Sequence, residues 1–288
     1  MANLKEVRNR IVSVGSTQQI TSAMKMVSAA KLKRAQDAIV QMRPYAIKMR
    51  ELLENLSASS NLSDNHFTKQ RPVKNVLLVV ITSNRGLCGG FNANVLKRAM
   101  VSIKENYEGC NISILAIGKK SNDFFRKTSF NLVGTHIELF NHLNFANVSP
   151  IADEILKGFE NATYDKVEIV YNQFKNAAVQ ITQCEQYLPV VAAVSTKKNA
   201  ASSDYIFEPT QAEILEDLIP RSLRTQLYKA ILDSHASEHG ARMTAMHKAT
   251  DNAKDLIKVL KLNYNKARQA AITGEILEIV GGSEALNN

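Results

Sequence analysis

The sequence predicts an α/β protein: a long antiparallel coiled coil of N- and C-terminal helices, with a sheet domain inserted between them. Three observations carry that prediction. Apolar residues recur about every 3.5 positions near both ends of the chain, which is the seam of a coiled coil. The middle alternates β-branched apolar runs with amphipathic stretches, the pattern of a sheet covered by helices. A polar stretch, residues 58–74, separates the first helix from the first strand.

The N-terminal coiled-coil segment is expected over residues 1–57. Asn3 and Glu6 form a capping box at the start of its helix. Leu4, Val7, Ile11 and Val14 begin the seam, which turns polar at Thr17–Thr21. It resumes with Met24 and Val27 and continues through Ala38, Met42, Tyr45, Met49, Leu52 and Leu56. Pro44 removes a backbone hydrogen bond and predicts a kink.

The α/β domain is expected over 75–207. Strands are predicted at 75–82, 111–117, 130–135, 167–173 and 178–187, with helices at 92–107, 120–127 and 148–161. That order is a Rossmann-like alternation. The C-terminal coiled-coil segment is expected over 210–288, opening on a capping box of Thr210 and Glu213. Leu223, Leu227, Ile231, Ala253, Leu260, Tyr264, Ala267 and Ile276 then keep a helical period to about Val280, and Pro220 predicts a bend or restart. A soluble helix averages about 12 residues, so a much longer one needs a partner along its length. Only the first segment is long enough, and the intervening domain acts as a large hairpin loop, so the two pair antiparallel. Ser28, Ala29 and Ala30 on one segment, with Ser234, Ala236, Ser237, Gly240 and Ala241 on the other, predict a close, thin seam. Small residues bury little area at about 25 cal/mol per Å². Such a rod calls for a sleeve around it.

Composition narrows the function classes. The longest apolar run, 76–81, is far short of the roughly 20 residues that span a bilayer. The basic N-terminus has no apolar stretch after it, so no signal peptide is expected. Cys88, Cys110 and Cys184 are odd in number and irregularly spaced, without a disulfide or zinc pattern. The net charge of +9 is concentrated in residues 1–57, where ten Lys/Arg face four Asp/Glu, whereas 210–288 has ten of each. Lys25, Lys31, Lys33 and Arg34 therefore point either to an acidic partner or to a plain solvated face. Nucleic acid is disfavoured: aromatics are 6%, tryptophan is absent, and half of the rod is neutral.

Three motifs test for catalysis. Arg85-Gly-Leu-Cys-Gly-Gly90 is a strand-to-helix turn of the kind that cradles phosphate. It lacks the Gly-Lys-Ser/Thr ending of a P-loop and reads as a tight turn needing positive φ. His235-Ala-Ser-Glu238-His239 matches the H-x-x-E-H arrangement of zinc hydrolases. Within a long helix flanked by alanine and serine, it is expected instead to be a solvated face. Cys88 has no paired histidine and reads as a buried thiol in the turn. No catalytic, cofactor-binding or metal residue is expected.

The motifs also carry a resemblance. Ala267-Arg-Gln-Ala-Ala-Ile-Thr-Gly-Glu-Ile-Leu-Glu-Ile-Val-Gly-Gly282 resembles the C-terminal signature of the γ subunit of F-type ATP synthases. Ile20 to Leu32, Asn84 to Asn92 and Ala241 to Ala253 look like further blocks of that family, in its order. The resemblance implies a central-stalk rotor subunit that couples proton flow to conformational change at catalytic β subunits, regulates ATPase activity and has no active site of its own. It implies three α and three β subunits around the shaft, with the ε subunit and the c-ring at the α/β domain. It also implies a peripheral, uninserted place at the cytoplasmic face of a bacterial inner membrane. By family match, Met24, Lys25, Arg268, Gln269 and Thr273 contact partner loops, Met24 facing the others across the coil. Ile276, Ile279 and Val280 sit in an apolar bearing, and Lys25 to Arg34 face acidic loops.

Overall fold

The computed structural model describes residues 4–59, 66–190 and 210–287. The chain runs α1 (Leu4–Ser59), β1 (Asn75–Ile81), α2 (Phe91–Asn106), β2 (Asn111–Ile117), α3 (Lys119–Phe125), β3 (Asn131–His136), α4 (Phe145–Glu160), β4 (Lys166–Phe174), β5 (Gln180–Leu188) and α5 (Gln211–Asn287). Both ends are therefore single helices, of 56 and 77 residues. They continue through Gly15, Pro44 and Pro220, so Pro220 does not restart α5. The chain divides into two compact units: residues 1–28 with 243–288, and residues 29–242.

In the first unit α1 and α5 pair antiparallel. The Thr250 hydroxyl donates to Thr21 Oγ1 at 2.8 Å, and Lys25 Nζ lies 3.4 Å from His247 Nδ1. The least exposed positions of α1 here include Leu4, Val7, Ile11, Val14, Gln18, Thr21, Lys25 and Ser28, spaced by alternating threes and fours. Met246, Thr250, Ala253, Ile257, Leu260, Tyr264 and Ala267 answer them. That is a heptad seam, but it runs through polar positions that the apolar periodicity skipped. Val27, expected in the seam, is exposed, and Ser28 holds its place.

The second unit is built on a five-stranded sheet of order β3-β2-β1-β4-β5. β3, β2, β1 and β4 are parallel, and β5 returns antiparallel from β4. β1 is central because its sequence, NVLLVVI, is apolar on both faces and buried on both. Leu77, Val79 and Ile81 pack with α4 and with Leu223, Leu227 and Ile231 of α5. Val76, Leu78 and Val80 pack with Val95, Ala99 and Ile103 of α2. α4 starts three residues before its expected position because the Asn144 side chain accepts the Asn147 N–H and caps it. At the β2–α3 turn Gly118 has φ 104°, and a Cβ there would lie 2.2 Å from the Thr82 carbonyl oxygen, so no other residue fits.

The small residues of α5 have a different role from the one expected. Ser237 Oγ donates to the Asn172 carbonyl of β4 at 3.0 Å. A Cβ on Gly240 would meet the Ala177 backbone in the β4–β5 turn at 3.1 Å. They let α5 approach the sheet's hairpin closely. On α1, Ala30 and Tyr45 are exposed, while Leu32, Ala35 and Met49 are buried; the Leu56 side chain lies outside the described residues.

Candidate partner-contact surface

The register of the first unit follows from its two cross-helix contacts. With Thr21 level with Thr250 and Lys25 level with His247, an antiparallel pair places Leu4 level with about Ala267. Among the described residues α1 begins at Leu4, and none of them lies beside α5 from about Ala271 onward. That stretch is not polar. Ile276 is 55%, Ile279 72% and Val280 54% exposed, and Ile272 and Leu277 are exposed beside them. Contiguous exposed apolar surface of this kind marks a surface that another molecule covers. Sequence reasoning named three of these five residues from the family signature; Ile272 and Leu277 carry the same apolar signal.

Arg268, Gln269 and Thr273 are exposed near the start of this stretch, and Thr273 Oγ1 donates only to the Gln269 carbonyl of its own helix. Met24 is half-buried but does not face them. The register puts it level with His247 to Lys248, about 30 Å along α5 from Arg268 at 1.5 Å per residue. Lys25 is likewise half-buried, with its ammonium turned to His247. Within the second unit Lys31, Lys33 and Arg34 are exposed, and Lys33 pairs with Asp37 at 2.8 Å.

The H-x-x-E-H motif is buried, not solvated as expected. Glu238 and His239 are under a tenth exposed, and His235 stacks on Phe140. Arg242, one turn further on, donates to Glu238 at 2.7 Å and to the Arg85 and Gly86 carbonyls at 3.0 and 3.2 Å. The glycine-rich turn thus sits on α5 and shields the motif. The turn itself holds positive φ at Gly89, as expected, and also at Leu87, which is 64% exposed. Cys88 is buried beneath it, accepting from Asn92 Nδ2 at 3.2 Å.

This geometry does not suit a zinc hydrolase. Glu238 is taken by Arg242, and no group of three or more metal-binding side chains exists among the described residues. Arg242 Nη1 lies 3.4 Å from His239 Nδ1, which must accept. His239 therefore carries its proton on Nε2 and donates to His235 Nε2 at 3.2 Å. Burial, with Lys31 and Arg242 adding repulsion, lowers His235 to about 4. Burial, then His235 and Arg242, lowers His239 to about 3. Burial raises the Glu238 pKa despite Arg242.

Both histidines titrate below the ordinary unfolded value of about 6.5. As pH falls, the unfolded chain binds protons first, so their contribution is complete above about 6.5 and is lost as pH falls toward about 4. Urea unfolding should show on the order of 2–4 kcal/mol less stability at pH 5 than at pH 7. The double variant His235→Gln, His239→Gln should flatten that slope; an unchanged slope would exclude the pair as its source.

A second buried network holds α2 to the sheet. Tyr107 and Ser102 donate to Glu168, as does the Cys184 thiol at 3.0 Å, and Lys166 lies 3.3 Å away. Burial opposes the charged Glu168, yet the hydrogen bonds from Tyr107 and Cys184 and the Lys166 charge hold its pKa below the usual carboxylate value. No local pattern marks this network, because its members lie on three separate elements.

A paired helical seam with polar positions, and a helix end that leaves its apolar face uncovered, define a class: a subunit whose coiled coil extends into an assembly. The full length of the chain matches one family. The model for the ATP synthase family covers residues 3–286. The ATP synthase gamma chain of Flavobacterium johnsoniae is 62% identical over all 288 residues, covering 100% of both chains. Among solved structures, the rotor of Euglena gracilis mitochondrial ATP synthase matches with TM-score 0.67 at 22% identity, covering 93% of this chain and 98% of that one. The central stalk and c-ring structure of Tetrahymena thermophila mitochondrial ATP synthase matches with TM-score 0.59 at 25% identity, covering 80% and 99%. The chain belongs to the ATP synthase gamma chain family.

Proposed function

We propose that the chain is the central-stalk rotor subunit of a proton-translocating ATP synthase, with its coiled coil as the shaft. The observation that carries this reading is the uncovered apolar end of α5. A helix leaving five large apolar side chains in water gains about 1.5–3 kcal/mol for each one that a partner buries. A ring of three α and three β subunits closed around it supplies that cover. Ile276, Ile279 and Val280 then form the bearing, and Arg268, Gln269 and Thr273 meet partner loops lower on the shaft. Met24 and Lys25 make a separate contact further down, at the level of His247. The ε subunit and c-ring meet the sheet domain.

In this reading the chain transmits torque and performs no chemistry, which is done on the β subunits. No helix among the described residues is long and apolar enough to cross a membrane. The chain is held at the cytoplasmic face of the inner membrane through its partners. Native mass spectrometry of the gently solubilised complex, purified by a tag on this chain, tests the reading. One copy with three α and three β subunits is expected; a lone homodimer would overturn it. Arg268→Ala should lower ATP synthesis without loss of folding, and normal synthesis would remove that contact.

A further inference from the structure

In the second unit, a groove of about 520 Å³ is lined by α1, α5 and the β4–β5 pair, a volume typical of small-molecule sites. Met42 and Met49 of α1 and Phe174 of β4 give it apolar walls, and Asp233 of α5 lies in its lining. Asp233 is only 6% exposed. Among the described residues nothing donates a hydrogen bond to it; Lys229 and Arg43 act on it only through longer-range attraction. The other buried carboxylates differ: Glu168 and Glu238 have donors in contact. Glu185, the second carboxylate of the groove, accepts from Gln226 at 2.8 Å and from Tyr171 at 3.0 Å. The Asp233 oxygens are not enclosed: they open onto the groove, where a donor that enters can reach them.

We propose that this groove binds an amphipathic amine, its ammonium head donating to Asp233 and its apolar body lying against Met42, Met49 and Phe174. A charge-assisted hydrogen bond forms at about 2.8 Å. Lys229 and Arg43 line the same groove but stand outside ion-pair distance of Asp233, which leaves its oxygens free to accept from the head. Methionine walls adapt to varied apolar bodies. The charged groups facing Asp233 are Arg43 from α1, Lys229 from α5 and Glu185 from β5. Burial raises Asp233 to about 6, so the head group should be held better at pH 7.5 than at pH 5. The site is independent of the rotor reading.

The full-length chain, labelled with ¹³C at methionine methyls, is titrated with hexylamine and with hexan-1-ol, which share one apolar body. Saturable shifts of the Met42 and Met49 methyls are expected with the amine, and binding at least tenfold weaker with the alcohol. Asp233→Asn, which keeps the side chain's volume, should bring the amine to the alcohol's level. Unmodified protein should lose the preference for amine at pH 5, a readout that needs no variant. No saturable shift, equal binding of amine and alcohol at pH 7.5, an unchanged preference at pH 5 or unchanged amine binding in Asp233→Asn would each overturn the proposal.

Discussion

Arg242→Ala is expected to cost the chain about 3–5 kcal/mol, the range for breaking one partner out of a buried ion pair. Arg242 and Glu238 are both under a tenth exposed and lie 2.7 Å apart. Removing the guanidinium leaves Glu238 as an uncompensated buried charge and frees the Arg85 and Gly86 carbonyls. The loss therefore reaches the β1–α2 turn as well as α5. Glu238 would then favour its protonated form, so the variant's deficit relative to the unmodified chain should shrink as pH falls below neutrality. Adding Glu238→Gln should recover part of it at pH 7. Urea denaturation of Arg242→Ala, Glu238→Gln and the double variant forms a double-mutant cycle; a cost of Arg242→Ala under about 1 kcal/mol would show that the pair does not lock this turn.

The second large effect is one that the isolated chain should not feel. Ile276→Ser, Ile279→Ser and Val280→Ser together change side chains that are all more than half exposed. The midpoint of thermal unfolding of the free chain should stay within the small range of surface substitutions, about 0.5 kcal/mol each. In the assembled enzyme the same residues are proposed to be buried, and losing them removes several kcal/mol of contact. The expected result is at least a tenfold fall in ATP-driven proton pumping, with the chain dissociating on dilution. Unchanged pumping, measured by acidification of inverted vesicles, would mean that the apolar end is not a bearing.

Strands were legible in the sequence because runs such as NVLLVVI carry their burial in composition. The seam was harder. Thr21 and Ser28 occupy it as buried polar residues, so a search for apolar period slid one position to Val27, which faces out. Tyr45 also faces out, the smaller Ala46 being the more buried neighbour, because apolar period alone does not choose between adjacent apolar residues. The burial of His239 could not be read locally at all. Its cover, the turn at Arg85 and Gly86, lies more than 150 positions away along the chain. Small residues such as Gly240 did signal close approach, but not which surface approached. The apolar end of α5 was visible as residues, whereas its exposure depended on where α1 begins and on the register set by Thr21 and Thr250.

Rotation is the most direct measurement of the central claim. The assembled enzyme is fixed to a surface through its ring subunits, and a bead is attached to the sheet domain through Lys127→Cys, an exposed position in the second unit. On addition of ATP the bead should turn processively in one direction. A bead that stays fixed in orientation while the same complexes hydrolyse ATP would contradict the rotor account.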